Sequence, residues 1–181
     1  MASQLIASNR ENADVVTGKV AIKRKMSELL KKNKFPLGVM PVDEVVELGY
    51  NPSTRFLWAI RKKKLDHFFK GINKKATLDT EVTGFLEERR MKKITGVKAK
   101  ELMIWVSLTD FRIDDPASGK IIFTATAGIT KTFPISAFEE DEEEEEKVEV
   151  KKVEEKVVEP VKKNVEVKKM EEAKKEVVVK T

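Results

Sequence analysis

Leu78-Asp79-Thr80-Glu81-Val82-Thr83-Gly84-Phe85-Leu86 is the stretch that decides the fold. Leu78, Thr80, Val82, Gly84 and Leu86 alternate with Asp79, Glu81, Thr83 and Phe85. Successive side chains of a strand point to opposite faces, so this period of two predicts a strand with one face on a core. The pattern recurs on both sides. Upstream, Phe56, Trp58 and Ile60 alternate with Arg55, Leu57, Ala59 and Arg61 behind the turn signal Asn51-Pro52-Ser53. A shorter strand is expected over 45–49 and another over 64–70. Downstream, the charged tip Glu87-Glu88-Arg89-Arg90 precedes a short strand over 91–94. Leu102, Ile104, Val106 and Leu108 then face one way, and Met103, Trp105 and Ser107 the other. Two apolar faces predict the most buried, central strand. Asp114-Asp115-Pro116-Ala117-Ser118-Gly119 is a turn, and 121–126 with 129–133 form a hairpin that ends at Pro134.

Before these strands the period is different. Ile22, Met26, Leu29 and Leu30 follow one helical face, with Lys23, Arg24, Lys25, Lys31 and Lys32 mainly on the other. Asn33 caps the end and Pro36 forbids continuation, so an amphipathic helix is expected over about 16–33. Residues 1–15 are polar and aperiodic, and are expected to be disordered. Beyond Phe138, the last aromatic residue, a Glu/Lys/Val-rich low-complexity tail fills 139–181. Such a composition cannot bury enough apolar area to offset backbone entropy, and disorder is expected there. One β-rich domain over 16–138 remains.

Charge divides at the same boundary. The chain carries a net +5, but residues 1–138 hold 25 Lys and Arg against 15 Asp and Glu, and 139–181 hold 11 against 16. A basic domain beside an acidic tail suggests anionic partners, with the tail as a competing intramolecular anion. The chain has no cysteine, which excludes disulfides, thiolate nucleophiles and Cys-ligated zinc. The longest wholly apolar run is Leu102-Met103-Ile104-Trp105-Val106, far short of the ~20 residues of a membrane span. No basic segment followed by an apolar core opens the chain, so the expectation is a cytoplasmic protein with peripheral membrane contact at most.

The ordered series Leu37-Gly38-Val39-Met40-Pro41, Val46-Glu47-Leu48-Gly49-Tyr50 and Phe56-Leu57-Trp58 with Lys62-Lys63-Lys64 resembles the plant family called domain of unknown function 538. The likeness continues through Thr80-Glu81-Val82-Thr83, the run from Lys92 to Leu102, Ile104-Trp105-Val106, Asp114-Asp115-Pro116 and Thr132-Phe133-Pro134-Ile135-Ser136-Ala137-Phe138. It covers about 16–138. The resemblance implies an N-terminal helix with coiled, bifurcated antiparallel β-sheets forming a barrel-like or sandwich core. It also implies a similarity to the bactericidal/permeability-increasing lipid-binding proteins, and a chlorophyll-hydrolysing role has been suggested for the family. Neither brings a motif that maps onto residues here. The helix of this chain is more basic than the family's usual acidic start.

Candidate chemistry is sparse. His67 is the single histidine, and no Gly-x-Ser-x-Gly elbow supplies a serine for it; Ser107 lies mid-strand and Ser136 near the end of the domain. A surface or half-buried strand histidine is the plainer reading. Asp114 and Asp115 are adjacent on a turn and diverge, whereas calcium needs six or more oxygens. No glycine-rich phosphate loop is present, and no cofactor or metal is expected. Trp58 and Trp105 are candidates for lining an apolar ligand cavity.

The basic clusters are the best functional clue. They are Arg61-Lys62-Lys63-Lys64, Lys74-Lys75, Arg89-Arg90 with Lys92-Lys93, and Lys98 with Lys100. The plain reading is a solvated charged face. Nucleic acid lacks support, because exposed aromatics interleaved with the basic residues are missing. An anionic lipid surface needs only charge and a few apolar residues. The sequence therefore points to a monomeric, non-enzymatic binding module for an anionic lipid surface, an amphiphile or an acidic partner. Two alternatives are a hydrolase acting on an amphiphilic, chlorophyll-like ester and a tail-mediated protein-interaction scaffold.

Overall fold

The computed structural model describes residues 2–139. The expectations for 140–181, including tail disorder, lie outside the described residues. The elements in chain order are α1 (Ala2–Asn9), β1 (Asp14–Thr17), α2 (Lys19–Lys32), β2 (Val45–Asn51), β3 (Phe56–Arg61), β4 (Leu65–Phe69), β5 (Lys74–Glu87), β6 (Arg90–Glu101), β7 (Ile104–Arg112), β8 (Lys120–Ala125) and β9 (Thr130–Pro134). Short 3₁₀ turns link several of them, and Ile135–Phe138 closes the domain with Phe138 buried. No helix among the described residues is long and apolar enough to cross a membrane.

All nine strands form one antiparallel sheet, eight of them in the order β1-β2-β3-β5-β6-β7-β8-β9 and β4 beside β5 off that path. The sheet forks at β5. Its second half pairs with β3 (Phe56↔Phe85 to Ile60↔Glu81), and its first half with β4 (Leu65↔Leu78 to Phe69↔Lys74). The coiled, bifurcated, mainly β architecture with an N-terminal helix is thus present, built as one curled sheet rather than a two-sheet sandwich. The curl has a local cause on β6. Lys93 and Gly96 have φ of 51° and 79°, inside gaps in the pairing with β5 and β7. Each acts as a bulge that bends the strand and shifts its facing by one residue. Met91, Ile94 and Val97 therefore all face the same interior at a spacing of three. Gly96 has a second constraint, because a Cβ there would run into the Glu81 carbonyl oxygen.

Helix α2 buries Ile22, Met26, Leu29 and Leu30, the face that the spacing predicts. It starts at Lys19 rather than 16, because Val16 belongs to β1 opposite Leu48. Its C-terminus is closed by Phe35 N donating to Leu30 O (2.9 Å) and Lys34 N to Lys31 O (3.1 Å), with Lys34 left-handed at φ 61°. These bonds satisfy carbonyls that the helix end leaves open. The expectation of a disordered segment over 1–15 needs correction. Ile6 of α1 packs with Phe56 and Trp58 on the outer face of β3, and Asn51 Nδ2 donates to Asn9 O (2.9 Å) and Glu11 O (3.1 Å). A helix this short is marginal alone and is held by tertiary contacts. The expectation of a most buried strand over 102–108 also needs correction. Leu102 is 91% exposed, Met103 90%, Ile104 57% and Trp105 48%. The first half of β7 pairs only with β6, because β8 joins it from Leu108 onward.

Candidate functional site

The concave side of the sheet encloses a cavity of about 100 Å³ that is partly open to solvent. An apolar cavity of ~150 Å³ holds a benzene ring, so this one suits a slender apolar segment. Strand parity builds its walls. Ala59 and Arg61 come from β3, Ala76 and Leu78 from β5, Val97, Ala99 and Glu101 from β6, Val106 and Leu108 from β7, Phe123 and Ala125 from β8, and Lys131 and Phe133 from β9. Met26 of α2, Met91, Phe111 and Phe138 are buried and close the inner end. The space exists because Ala59, Ala76, Ala99 and Ala125 stand where a filled core would carry larger side chains.

Two polar features interrupt this apolar lining. At the rim, Lys74 Nζ lies 3.0 Å from Glu101 Oε2 and Lys131 Nζ lies 3.7 Å from the same oxygen. Glu101 is largely buried, so it is a shared anion between β5 and β9, two strands far apart in the sheet order. In the wall, Arg61 is only 4% exposed. Its Nη2 donates to Pro41 O (2.6 Å) and its Nε to Asp43 O (3.3 Å). Its Nη1 has no hydrogen-bond partner among the described residues. Burial pushes the Arg61 pKa down to about 10, partly offset by the charge of Asp43, so the group remains cationic at neutral pH. An unpartnered buried donor costs about 1–3 kcal/mol, more for a charged one.

The basic clusters are not gathered on one face. Arg61 is interior. Lys62, Lys63 and Lys64 are exposed in the link to β4, where Lys64 pairs with Asp79 (3.0 Å). Arg89, Arg90, Lys92 and Lys93 sit at the β5–β6 turn. There Arg89 pairs with Glu88 (2.8 Å), Arg90 with Asp110 (2.7 Å) and Lys92 with Glu87 (2.6 Å), and Lys93 lies 5.6 Å from the Phe85 ring. The bond from Lys92 Nζ holds Glu87 below the usual carboxylate range. Bonding to Asp110 raises Arg90 further. Lys98 and Lys100 lie at the opposite end of β6, exposed on its outer face.

Neither tryptophan lines the cavity. Trp58 is fully buried on the outer face of β3, donating from Nε1 to Glu47 Oε1 (2.9 Å) under the Arg10 guanidinium. Burial alone would raise Glu47, but the bonds from Trp58 and Arg10 outweigh it and hold its pKa low. Trp105 is on the outer face of β7. His67 is half-buried, its ring 4.4 Å from that of Phe69. It pairs in register with Ala76, which pairs with Ala99 and so shares the cavity side, whereas Ser107 pairs with Lys98 on the other side. That arrangement gives His67 no access to Ser107. Asp115 Oδ1 accepts from Ala117 N (2.9 Å) and Asp114 binds Arg112, so both aspartates serve the turn. Among the described residues no acidic or histidine group is arranged for a metal.

Sequence reasoning missed the lining and the rim. The signal was four alanines at inward strand positions and a charged residue, Glu101 or Lys74, at the inward end of two paired strands.

A protein from Arabidopsis thaliana, described as uncharacterized protein At5g01610, is 29% identical over 118 residues. That alignment covers 65% of this chain and 65% of the relative, so the chain spans about two-thirds of that relative's length. No solved structure matches. The family model described as protein of unknown function, DUF538, matches residues 26–139, from the middle of α2 to the last turn of the domain. The match takes in the cavity walls, the rim and Arg61, and the chain belongs to the DUF538 family.

Proposed function

We propose that the domain is a non-catalytic binding module whose cavity holds a slender apolar segment of an amphiphile, with the acidic head of that molecule attracted by the buried Arg61 guanidinium in the wall. The observation that carries this reading is the buried guanidinium donor left without a partner in an otherwise apolar wall. A cavity that served only as a packing defect would be dry and uncharged. One with a few convergent polar groups has the usual make-up of a ligand site. The Lys74–Glu101–Lys131 rim sets the electrostatics at the mouth.

Titration with octanoate and with octanol, read by calorimetry and by amide shifts of cavity residues, tests the reading. Octanoate binds the wild type more tightly than octanol. Ala99→Leu fills the cavity and abolishes binding of both while the melting temperature holds or rises. Arg61→Met lowers octanoate affinity about tenfold or more and leaves octanol little changed. Binding of neither probe to the wild type, or equal binding by the Ala99→Leu variant, overturns the proposal.

A further inference from the structure

Eight large apolar side chains are exposed among the described residues, and five of them, Phe68, Leu102, Met103, Ile104 and Trp105, are at one end of the sheet. Leu102 and Met103 are the whole connection between β6 and β7. Leu102 has φ 51°, a conformation that glycine or asparagine adopts easily and leucine does not. Turn chemistry and solubility both disfavour leucine and methionine here, so a contact outside the folded domain is the physical reason for them.

The surroundings identify that contact. Phe68 pairs in register with Lys75, and Lys100 with Trp105. The β5–β6 pairing of Ala76 with Ala99 sets Lys75 beside Lys100. One transverse row on the outer face therefore reads Phe68, Lys75, Lys100, Trp105, directly behind the apolar tip, which corrects the expectation that no exposed aromatics accompany the basic residues. Among the described residues Lys75, Lys98 and Lys100 have no carboxylate partner, and Glu101 is already held by two lysines. Aromatic side chains at headgroup depth, lysines on anionic headgroups and an apolar tip beyond them are the chemistry of a bilayer interface. A second copy docked two-fold on the same row would set Lys75 and Lys100 against their own equivalents.

We propose that this end of the domain docks on an anionic bilayer, with Leu102 and Met103 inserted at the acyl boundary, Phe68 and Trp105 at headgroup depth and Lys75 and Lys100 on the headgroups. Glu101 borders both the tip and the cavity, so docking turns the cavity mouth to the membrane. Only that last consequence rests on the amphiphile reading.

The test is co-sedimentation of the full-length protein with vesicles of phosphatidylcholine alone and with added phosphatidylserine. Fluorescence quenching by bromine placed on the acyl chains is read alongside it. Trp58 is buried, so quenching reports Trp105. The wild type partitions onto anionic vesicles and is quenched there. Leu102→Gly with Met103→Ser lowers partitioning about tenfold or more while the melting temperature holds or rises. Lys75→Glu with Lys100→Glu lowers it by about thirtyfold on anionic vesicles. Failure of the wild type to bind, partitioning unaltered in both variants, or a tip variant that changes the oligomeric mass instead overturns the proposal; the last result would make the tip a protein interface. Vesicle binding without octanoate reads the tip, and octanoate binding without vesicles reads the cavity, so the two readings fail separately.

Discussion

Strand β6 has a two-residue turn at each end, and each turn contains one left-handed non-glycine residue. At Glu88-Arg89 the residue is Arg89, φ 55°; at Leu102-Met103 it is Leu102, φ 51°. The first turn is held on several sides. Arg89 N donates to Asn33 O, Ile113 N donates to Arg89 O (both 2.8 Å), and Lys34 reaches Glu88 (2.7 Å). The second turn is more than nine-tenths open at Leu102 and has no polar side chain to anchor it. The same unfavourable backbone conformation is thus compensated inside the fold at one end and left facing outward at the other. A strained residue tied to its own domain is structural; one presented to solvent with an apolar side chain points to a partner.

Exchanging the turns is the strongest way to break this comparison. Leu102→Gly with Met103→Ser reduces vesicle partitioning about tenfold or more without loss of thermal stability. The reverse graft, Glu88→Leu with Arg89→Met, produces no vesicle binding at that end, because no Phe68-Trp105 row supports it. It removes the exposed Lys34–Glu88 pair and lowers stability only slightly, measurable by denaturant unfolding. The smallest effect is acid sensitivity. Hydrogen bonds from Lys92 to Glu87 and from Lys34 to Glu88 lower both carboxyls from 4.5. Their contribution is complete above the unfolded pKa and is lost as pH falls through the lower folded values. Amide exchange at Arg89 and Ile113 therefore accelerates below about pH 4.5. Exchange at Arg89 and Ile113 that does not change on acidification would contradict this expectation.

The sequence makes strand period and helix face legible, and not much of the site. Alternation locates β3 and the second half of β5, and the i, i+4, i+7, i+8 spacing locates the buried face of α2. It does not foresee α1, whose order comes from Ile6 meeting Phe56 and Trp58, a contact across some fifty residues. The apolar run 102–106 is equally compatible with a central strand and an exposed tip, since periodicity records neither which neighbour is present nor where the ladder ends. Its flanking Lys98 and Lys100 were the distinguishing clue. The cavity is not legible from the tryptophans, because a void is made by small residues at inward positions, here Ala59, Ala76, Ala99 and Ala125.

The shared anion at the rim has a consequence for how this surface can drift. Glu101 is 14% exposed and has two cationic neighbours on strands distant in the chain, at 3.0 and 3.7 Å. Losing either lysine leaves the carboxylate with the other, so a single substitution does not strand a buried negative charge. Losing both does. Each lysine is thus a spare for the other. Lineages are free to keep the cation on β5 or on β9, and to exchange one for the other through an intermediate that still folds.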